Sequence, residues 1–302
     1  MANPPQGAGH TETEIADQPG CWRRAAASAA EFAPVLPRAG ERVAVVGCGT
    51  SWFVAQSYAA LREAAGHGET DAFAASEFPL GRRYDRLLTL TRSGTTSEVL
   101  EVLGRVAGTV PTVAITADPA TPVMDAADEV VVLEYADERS VVQTRFATTQ
   151  LALLRAHLGE DLSTAVADAE RALAQDLPSE LIEAEQFTFL GRGWTIGLAH
   201  EAALKMREAA GAWTESYPAM EYRHGPISIT APGRVTWMLG QAPDGLAKQV
   251  VGVGGMMAVS GLDPLADLVR VQRLAVAIAR AHGADPDTPR NLTRSVILDA
   301  DG

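Results

Sequence analysis

The chain has 302 residues, of which 47% are hydrophobic and 21% are charged, which suits a soluble protein with a substantial core and room for two domains. Its formal net charge of −13 argues against binding to nucleic acids or anionic membranes, although backbone amides and a few local cations can still hold a small anion. Two cysteines, Cys21 and Cys48, form no disulfide framework, and neither a secretory signal nor an apolar run of membrane length is present. We therefore expect a cytoplasmic protein.

The first half of the chain has the pattern of one α/β unit. We expect residues 1–18 to form a tail and a helix to run from Cys21 to Phe32. Buried strands, two of them ending in a turn that leads to a helix, are expected at Val43–Val46, Leu87–Leu90, Thr112–Thr116 and Glu129–Leu133. A long helix is expected over residues 144–158, followed by a helical linker over residues 162–174.

The second half repeats this pattern in shorter form. A strand at Phe187–Leu190 leads through Gly191–Gly193 to a helix at His200–Ala209, and another buried strand follows at Val235–Leu239. We therefore predict an internal duplication, with an α/β fold class of two tandem doubly wound, parallel-sheet domains of the flavodoxin-like type. The predicted segments are an N-terminal tail and helix (1–40), a first domain (41–160), a helical linker (161–184), a second domain (185–283, ending in a helix over 264–282) and a C-terminal tail over the active site (284–302).

A loop rich in hydroxyl groups follows the second predicted strand. Ser93-Gly94-Thr95-Thr96, here called the hydroxyl loop, lies where that strand turns into a helix. Outward-pointing backbone N–H groups and the helix dipole favour an anion at such a point. A single helix cap would account for one hydroxyl, but not for three around a glycine. The loop therefore predicts a phosphate site.

A second glycine turn, Gly47–Ser51, follows the first predicted strand. Because parallel α/β sheets bind ligands at the carboxyl ends of their strands, both loops are expected to face one crevice. The turn lacks the Gly-x-Gly-x-x-Gly pattern of a dinucleotide site. Cys48 has no histidine or asparagine near it in sequence, so we interpret it as a small buried thiol rather than a nucleophile.

Three further residues are candidates for proton transfer. Lys205 and Glu208 share one face of a predicted helix, and Lys205 is one of only two lysines in a chain whose other basic residues are arginines. A carboxylate beside a substrate carbon suits proton transfer between neighbouring carbons, although a surface ion pair would have the same spacing. His224, followed by Gly-Pro, is either a loop-held acid/base or a structural histidine.

In this order, these motifs resemble the isomerase half of glucosamine-6-phosphate synthase, a family with two sugar-isomerase (SIS) domains. The matching residues are Cys48–Ser51, Ser93–Thr96, Thr144-Arg145 with Thr148–Gln150, Glu201–Glu208, His224–Pro226 and Pro289–Leu292. The resemblance implies that Ser51, Ser93 and Thr96 contact the substrate phosphate. It also implies that Glu208 is the base, with Lys205 beside it, and that His224 opens the sugar ring from the neighbouring subunit of a homodimer.

The full set of substrate-binding residues that we predict on this basis consists of Cys48, Gly49, Thr50, Ser51, Thr91, Arg92, Ser93, Thr95, Thr96, Val141 and Arg294. We expect a small-molecule sugar phosphate as the partner, with no nucleic acid, no membrane, no cofactor and no metal, because no ligand cluster has metal spacing.

Three departures from the synthase change the expected reaction. Without a glutaminase segment ahead of it, the chain is expected to lack glutamine amidotransferase activity. Arg294 stands at the position of the Schiff-base lysine, and an arginine does not form an imine. Arg92 and Thr95 replace a glutamine and a glutamate, changes that we expect to make the pocket more positive.

The remaining groups suit removal of the proton next to an open-chain aldehyde. We prefer a 6-phosphorylated amino sugar, of the glucosamine or N-acetylglucosamine type, as substrate and aldose–ketose isomerisation with deamination as reaction. A lyase or dehydratase that acts by β-elimination on an N-acetylhexosamine 6-phosphate stays open, as does a non-catalytic sugar-phosphate sensor. A sensor would need the hydroxyl loop but not Glu208 and His224.

Overall fold

The computed structural model describes residues 9–298, which form two compact units. The five-stranded unit contains residues 20–138, 145–162 and 293–298. The four-stranded unit contains residues 9–19, 139–144 and 163–292. The first helix, α1 (His10–Phe32), begins in the four-stranded unit and ends in the five-stranded one.

A fully parallel sheet forms the centre of the five-stranded unit. Its strands are β1 (Val43–Gly47), β2 (Thr70–Ala74), β3 (Arg86–Leu90), β4 (Thr112–Thr116) and β5 (Glu129–Val132). They lie in the order β2-β1-β3-β4-β5, and every residue of β1 and β4 is buried. Such continuously apolar strands are typical of parallel sheets covered on both faces.

Helices connect these strands. They are α2 (Thr50–Ala64), α3 (Ser97–Val106), the short α4 (Val123–Ala126) and α5 (Arg145–His157). Single 3₁₀ turns lie at Ala75–Glu77 and Glu134–Ala136. Buried valines and leucines of α3 pack with residues of β1, β3 and β4 in one core cluster, so this helix is fixed against the sheet directly after the hydroxyl loop.

The four-stranded unit repeats this arrangement. Its strands are β6 (Gln186–Gly191), β7 (Thr214–Pro218), β8 (Arg234–Met238) and β9 (Met256–Ala258), and they run parallel in the order β7-β6-β8-β9. Its helices are α6 (Ser163–Ala174), α7 (Ser179–Ile182), α8 (Thr195–Ala210), α9 (Leu246–Gly252) and α10 (Pro264–Ala281), with 3₁₀ turns at Glu221–His224 and Pro226–Ile229. The order β7-β6-β8-β9 matches β2-β1-β3-β4 of the other sheet. The predicted fold class, two parallel α/β units, is thus confirmed.

The prediction of a tail over residues 1–18 is wrong for residues 10–18, while residues 1–8 lie outside the described part of the chain. Helix α1 already begins at His10 and continues through Pro19. Its first turn is capped from far along the chain, because the carboxylate of Asp287 accepts hydrogen bonds of 2.7 Å from the backbone N–H groups of His10 and Thr11. A cap that comes from 277 residues away leaves no local signal in the sequence.

Three strands were missing from the sequence prediction. β2, β7 and β9 are edge strands, and no residue of β7 or β9 is fully buried. Polar residues such as Asp71 and Glu215 interrupt their apolar pattern, since an edge strand has only one neighbour and needs less apolar surface. Within residues 9–298, no helix is both long and apolar enough to cross a membrane.

Candidate active site

The hydroxyl loop is a tight turn between β3 and α3. Gly94 has a φ of +64°, and a Cβ at this position would lie 2.0 Å from the hydroxyl oxygen of Thr121. The backbone N–H of Gly94 donates to the Thr91 hydroxyl at 3.3 Å, and the N–H of Thr95 donates to the Ser93 hydroxyl at 3.3 Å. The loop therefore requires glycine at its centre and is stabilised by its own side chains.

The structure also tests whether Thr96 is only a helix cap. Thr96 occupies the N-cap position of α3 with an extended backbone, but its side chain makes no capping hydrogen bond. Capping therefore does not account for this hydroxyl. The arrangement leaves the Thr96 hydroxyl for another acceptor or donor, such as a phosphate oxygen.

The other glycine turn lies at the same edge of the same sheet. β1 and β3 are parallel neighbours with Val46 paired to Thr89, so the turn after β1 and the hydroxyl loop after β3 leave the sheet side by side. A Cβ on Gly47 would lie 2.7 Å from the Cβ of Ser51, which shows how closely the turn folds onto the start of α2. Thr50 and Ser51 are 4% and 3% exposed in this conformation, and Gly49 precedes them at the N-cap of α2.

Cys48 has no features of an activated nucleophile. Partial burial, followed by the negative charge of Glu98, raises the pKa of its thiol to about 11. The thiol therefore stays protonated at neutral pH, and a protonated thiol is a poor nucleophile.

Arg92 is buried rather than directed at an open pocket. Its side chain is 1% exposed and lies 3.7 Å (Nη1 to Oε2) from the fully buried carboxylate of Glu138. The other oxygen of Glu138 accepts a 2.7 Å hydrogen bond from the backbone N–H of Arg145 at the start of α5. Glu138 compensates the charge of Arg92, so Arg92 adds less positive charge than the sequence alone suggests.

Arg294 and Ser295 of the C-terminal segment lie against the hydroxyl loop within the five-stranded unit. The carbonyl of Arg294 accepts a 2.7 Å hydrogen bond from Arg92, and the hydroxyls of Thr95 and Ser295 lie 2.9 Å apart. The guanidinium of Arg294 contacts Asp137 and the Glu138 carbonyl. In this arrangement the side chain of Arg294 holds the tail in place.

Helix α8 of the four-stranded unit carries a buried row of charges. Glu201, Lys205 and Glu208 are spaced four and three residues apart and share one face. The ammonium of Lys205 lies 3.5 Å from Glu201 and in direct contact with Glu208. Lys205 and Glu201 are each 1% exposed at the side chain, whereas Glu208 is 19% exposed. A solvated ion pair on the helix surface, the alternative interpretation, does not fit this burial.

Glu208 is the member of the row that opens to solvent. It lines a cavity of about 620 Å³ together with Arg207, Arg290 and Leu292, all in the four-stranded unit. The carboxylate of Glu208 therefore contacts the ammonium of Lys205 and also faces a cavity that can admit a small molecule.

His224 is exposed at the end of the Glu221–His224 turn. Beside it, Tyr222 is buried and its hydroxyl lies 2.5 Å from that of Thr230, which fixes the backbone of the turn. The side chain of His224 is thus presented outward from a rigid base. This position permits contact with another subunit.

Three buried carboxylates, Glu14, Glu138 and Glu201, lie outside the site residues predicted from the sequence. Glu14 is 3% exposed, and its carboxylate accepts hydrogen bonds from the backbone of Arg139 and Ser140, so it orders the segment that carries Val141. Val141 belongs to the four-stranded unit, whereas the hydroxyl loop belongs to the five-stranded one. Glu201 could have been found from its spacing to Lys205, but the contacts of Glu14 and Glu138 bridge residues that the sequence does not connect.

Between residues 9 and 298, no group of three or more metal-binding side chains is present.

The two parallel sheets share one strand order, and the fold that they form, two tandem parallel α/β units, is that of solved phosphosugar proteins. Glucosamine-6-phosphate deaminase from Thermotoga maritima superposes with a TM-score of 0.80 at 23% identity, over 96% of this chain and 100% of that one. The C-terminal domain of glucosamine-fructose-6-phosphate aminotransferase from Francisella tularensis also gives 0.80, at 22% identity, over 95% and 100%. These similarities establish the fold.

Sequence comparison also finds relatives that are named for sugar phosphates. Glutamine–fructose-6-phosphate aminotransferase (isomerizing) from Gloeobacter violaceus is 29% identical over 318 residues, a match that covers 86% of this chain and 52% of the relative. The chain spans about half the length of the curated relatives of this name that cover most of it. No family model matches the chain. The resemblance to SIS-domain phosphosugar proteins is therefore confirmed.

Proposed function

We propose that this chain is an SIS-family enzyme that removes the C2 proton of a 6-phosphorylated amino sugar and carries out aldose–ketose isomerisation with deamination. The buried Glu201–Lys205–Glu208 row carries this proposal. Burying an ammonium beside a carboxylate costs desolvation energy, and the partly exposed Glu208 at the end of the row supplies a carboxylate that can reach a substrate. The relatives' names add the substrate class, since both solved structures compared above are named for amino-sugar phosphates.

The hydroxyl loop and the turn after β1 would bind the phosphate. Ser51, Ser93 and Thr96 offer hydroxyl donors at the carboxyl ends of β1 and β3, and the N-termini of α2 and α3 add backbone N–H groups and the favourable end of two helix dipoles. A dianion can be held there without a lysine. Arg92 would support the site indirectly, because its charge is already compensated by Glu138.

Glu208 would act as the base. Its partly exposed carboxylate can approach a substrate in the adjoining cavity, while Lys205 beside it can stabilise negative charge that develops on the substrate oxygen. His224 would open the sugar ring from the neighbouring subunit of a homodimer, in agreement with its exposed position.

One observation favours a second reaction. Arg294 cannot form an imine, and its guanidinium is engaged by Asp137 and the carbonyl of Glu138. Loss of the imine route leaves β-elimination from an N-acetylhexosamine 6-phosphate as the alternative fate of the same enolate.

The test is a proton and carbon NMR time course with glucosamine 6-phosphate and, separately, N-acetylglucosamine 6-phosphate in deuterated water. A ketose phosphate and free ammonium from the first substrate support the proposal. An unsaturated product from the acetylated substrate supports elimination instead. Binding of either sugar without any change in its spectrum contradicts both reactions and leaves the sensor.

A further inference from the structure

A second cavity in the five-stranded unit is rich in arginine. It has a volume of about 720 Å³, within the range of small-molecule sites. The residues that define this arginine cavity are Arg42, Arg82, Arg83 and Arg105, together with the apolar side chains of Phe78, Leu80, Tyr84 and Val110. Asp85 is the single acidic residue among those that line it.

The arginine cavity is separate from the proposed phosphosugar site. Arg42 directly precedes β1, Asp85 precedes β3, and Val110 lies just before β4, so the cavity is at the amino ends of these parallel strands. The hydroxyl loop and the turn after β1 are at the carboxyl ends. The two sites therefore lie at opposite ends of the parallel strands of one sheet.

Three of the four arginines of the cavity form solvent-exposed ion pairs. Arg42 pairs with Glu69 at 3.0 Å, Arg82 with Asp71 at 3.5 Å, and Arg105 with Glu101 one helical turn away, and every side chain in these pairs is at least 40% exposed. Exposed pairs of this kind are screened by solvent and contribute little to stability. No ion pair joins Arg83 to any residue in the described range 9–298.

Aromatic rings form a rigid base for two of these arginines. The rings of Phe73, Phe78 and Tyr84 lie 5.8–6.3 Å apart and belong to the core of the sheet. The guanidinium carbon of Arg42 lies 5.2 Å from the centre of the Tyr84 ring, and that of Arg82 lies 5.6 Å from the centre of Phe73. Stacking restricts the guanidinium groups and leaves their N–H edges available for a ligand.

We propose that the arginine cavity binds a nucleoside diphosphate. A diphosphate can pair with several guanidinium groups at once through charge-assisted hydrogen bonds that are stronger than the exposed pairs they replace. Leu80, 49% exposed, and the neighbouring Phe78 give the nucleoside an apolar surface, which a bare phosphate would not need. Four arginines line the cavity against one acidic residue, Asp85, so its lining suits an anion although the chain has a net charge of −13.

Isothermal titration calorimetry tests whether the arginine cavity binds a nucleoside diphosphate. The ligands are ADP and pyrophosphate, the fragment that lacks the nucleoside. Wild-type protein is expected to bind ADP, and pyrophosphate at least about fivefold more weakly. The double variant Arg83→Gln/Arg105→Gln is expected to raise the Kd of ADP at least about tenfold, an effect on the scale of lost charge-assisted contacts. Arg280→Gln, an exposed and ion-paired arginine of the other unit, is the matched control and is expected to leave the Kd within about twofold.

The outcomes separate this inference from the proposed enzymatic function. Thr96→Val is expected to weaken sugar phosphate binding but not ADP binding. If Thr96→Val weakens ADP binding and the double variant does not, ADP occupies the hydroxyl loop and the inference is wrong. Equal affinities for pyrophosphate and ADP overturn the nucleoside part, and no binding of either at millimolar concentration overturns the whole. Arg83 and Arg105 are exposed, so unchanged thermal midpoints are expected, and Arg83→Gln alone serves if the double variant is unstable.

Discussion

Replacing Glu208 with glutamine should abolish catalysis in a protein that still folds, whereas replacing Lys205 with methionine should destabilise the fold itself. Both side chains belong to the same row on α8, but the structure gives them different surroundings. Glu208 is 19% exposed at the edge of the row, and Lys205 is 1% exposed at its centre. The two variants therefore separate the chemical role of the row from its structural role.

The expected magnitudes follow from the contacts of each residue. Glu208→Gln keeps the shape of the side chain and leaves Lys205 with Glu201 at 3.5 Å, so the free energy of unfolding should fall by at most about 1 kcal/mol. Lys205→Met takes the cation away from Glu201, which is 1% exposed. Removal of one partner from a buried ion pair costs about 3–5 kcal/mol.

Urea unfolding followed by circular dichroism measures the stability, and product formation from the substrate identified by NMR measures the rate. Glu208→Gln should lower kcat by at least about 100-fold, as for a lost general base, with little change in Kd for the sugar phosphate. Glu12→Gln is the matched control, because Glu12 is 26% exposed, is paired with Arg280 and belongs to the same unit. Its kcat should equal that of the wild type.

Two results would refute this reasoning. A Glu208→Gln protein with more than about a tenth of the wild-type kcat would show that its carboxylate is not the base. A Lys205→Met protein as stable as the wild type would show that the buried row does not depend on its central cation.

Three further predictions concern the hydroxyl loop and the N-terminal helix. Thr96→Val should raise the Kd for the sugar phosphate about tenfold without changing the urea midpoint, since its hydroxyl does not cap α3; an unchanged Kd would remove Thr96 from the phosphate site. Gly94→Ala should disrupt sugar phosphate binding and lower the thermal midpoint, because a Cβ at φ +64° would collide with Thr121; calorimetry that finds wild-type binding and stability would contradict the loop geometry. Asp287→Ala should cost about 1 kcal/mol of stability by uncapping α1. Burial opposes ionisation of Asp287, but hydrogen bonds from the start of α1 hold its pKa below the ordinary value. The stability lost in Asp287→Ala should therefore be full at neutral pH and shrink as the pH falls below about 4. A stability loss that does not depend on pH would contradict the role of the ionised carboxylate as the cap.

The elements that the sequence predicted correctly are those with dense apolar patterns. The buried strands at Val43, Leu87, Thr112 and Phe187 and the amphipathic helix α10 were found within one or two residues of their observed ends. The missed strands β2, β7 and β9 lie at sheet edges, where one-sided burial weakens the alternating pattern. The early start of α1 was missed because its cap, Asp287, is distant in sequence.

The residues of the candidate site divide in the same way, into local motifs that the sequence shows and distant contacts that it does not. Motifs of adjacent residues, such as the hydroxyl loop and the Lys205–Glu208 pair, were visible in the sequence. Contacts between distant segments were not, and these change the interpretation: Glu138 compensates Arg92, and Asp137 holds Arg294 in the tail. Only the folded chain brings these carboxylates to the arginines.

Removal of the C2 proton from a 6-phosphorylated amino sugar is the step on which the proposed function depends. The most direct measurement is deuterium incorporation at C2 of glucosamine 6-phosphate and N-acetylglucosamine 6-phosphate in deuterated water, followed by NMR with wild-type protein, Glu208→Gln and Thr96→Val. We predict incorporation into at least one of the sugars with the wild type, none above background with Glu208→Gln, and slow incorporation that recovers at high sugar concentration with Thr96→Val. No incorporation into either sugar by a wild-type protein that binds them, or equal incorporation by Glu208→Gln, would contradict the account.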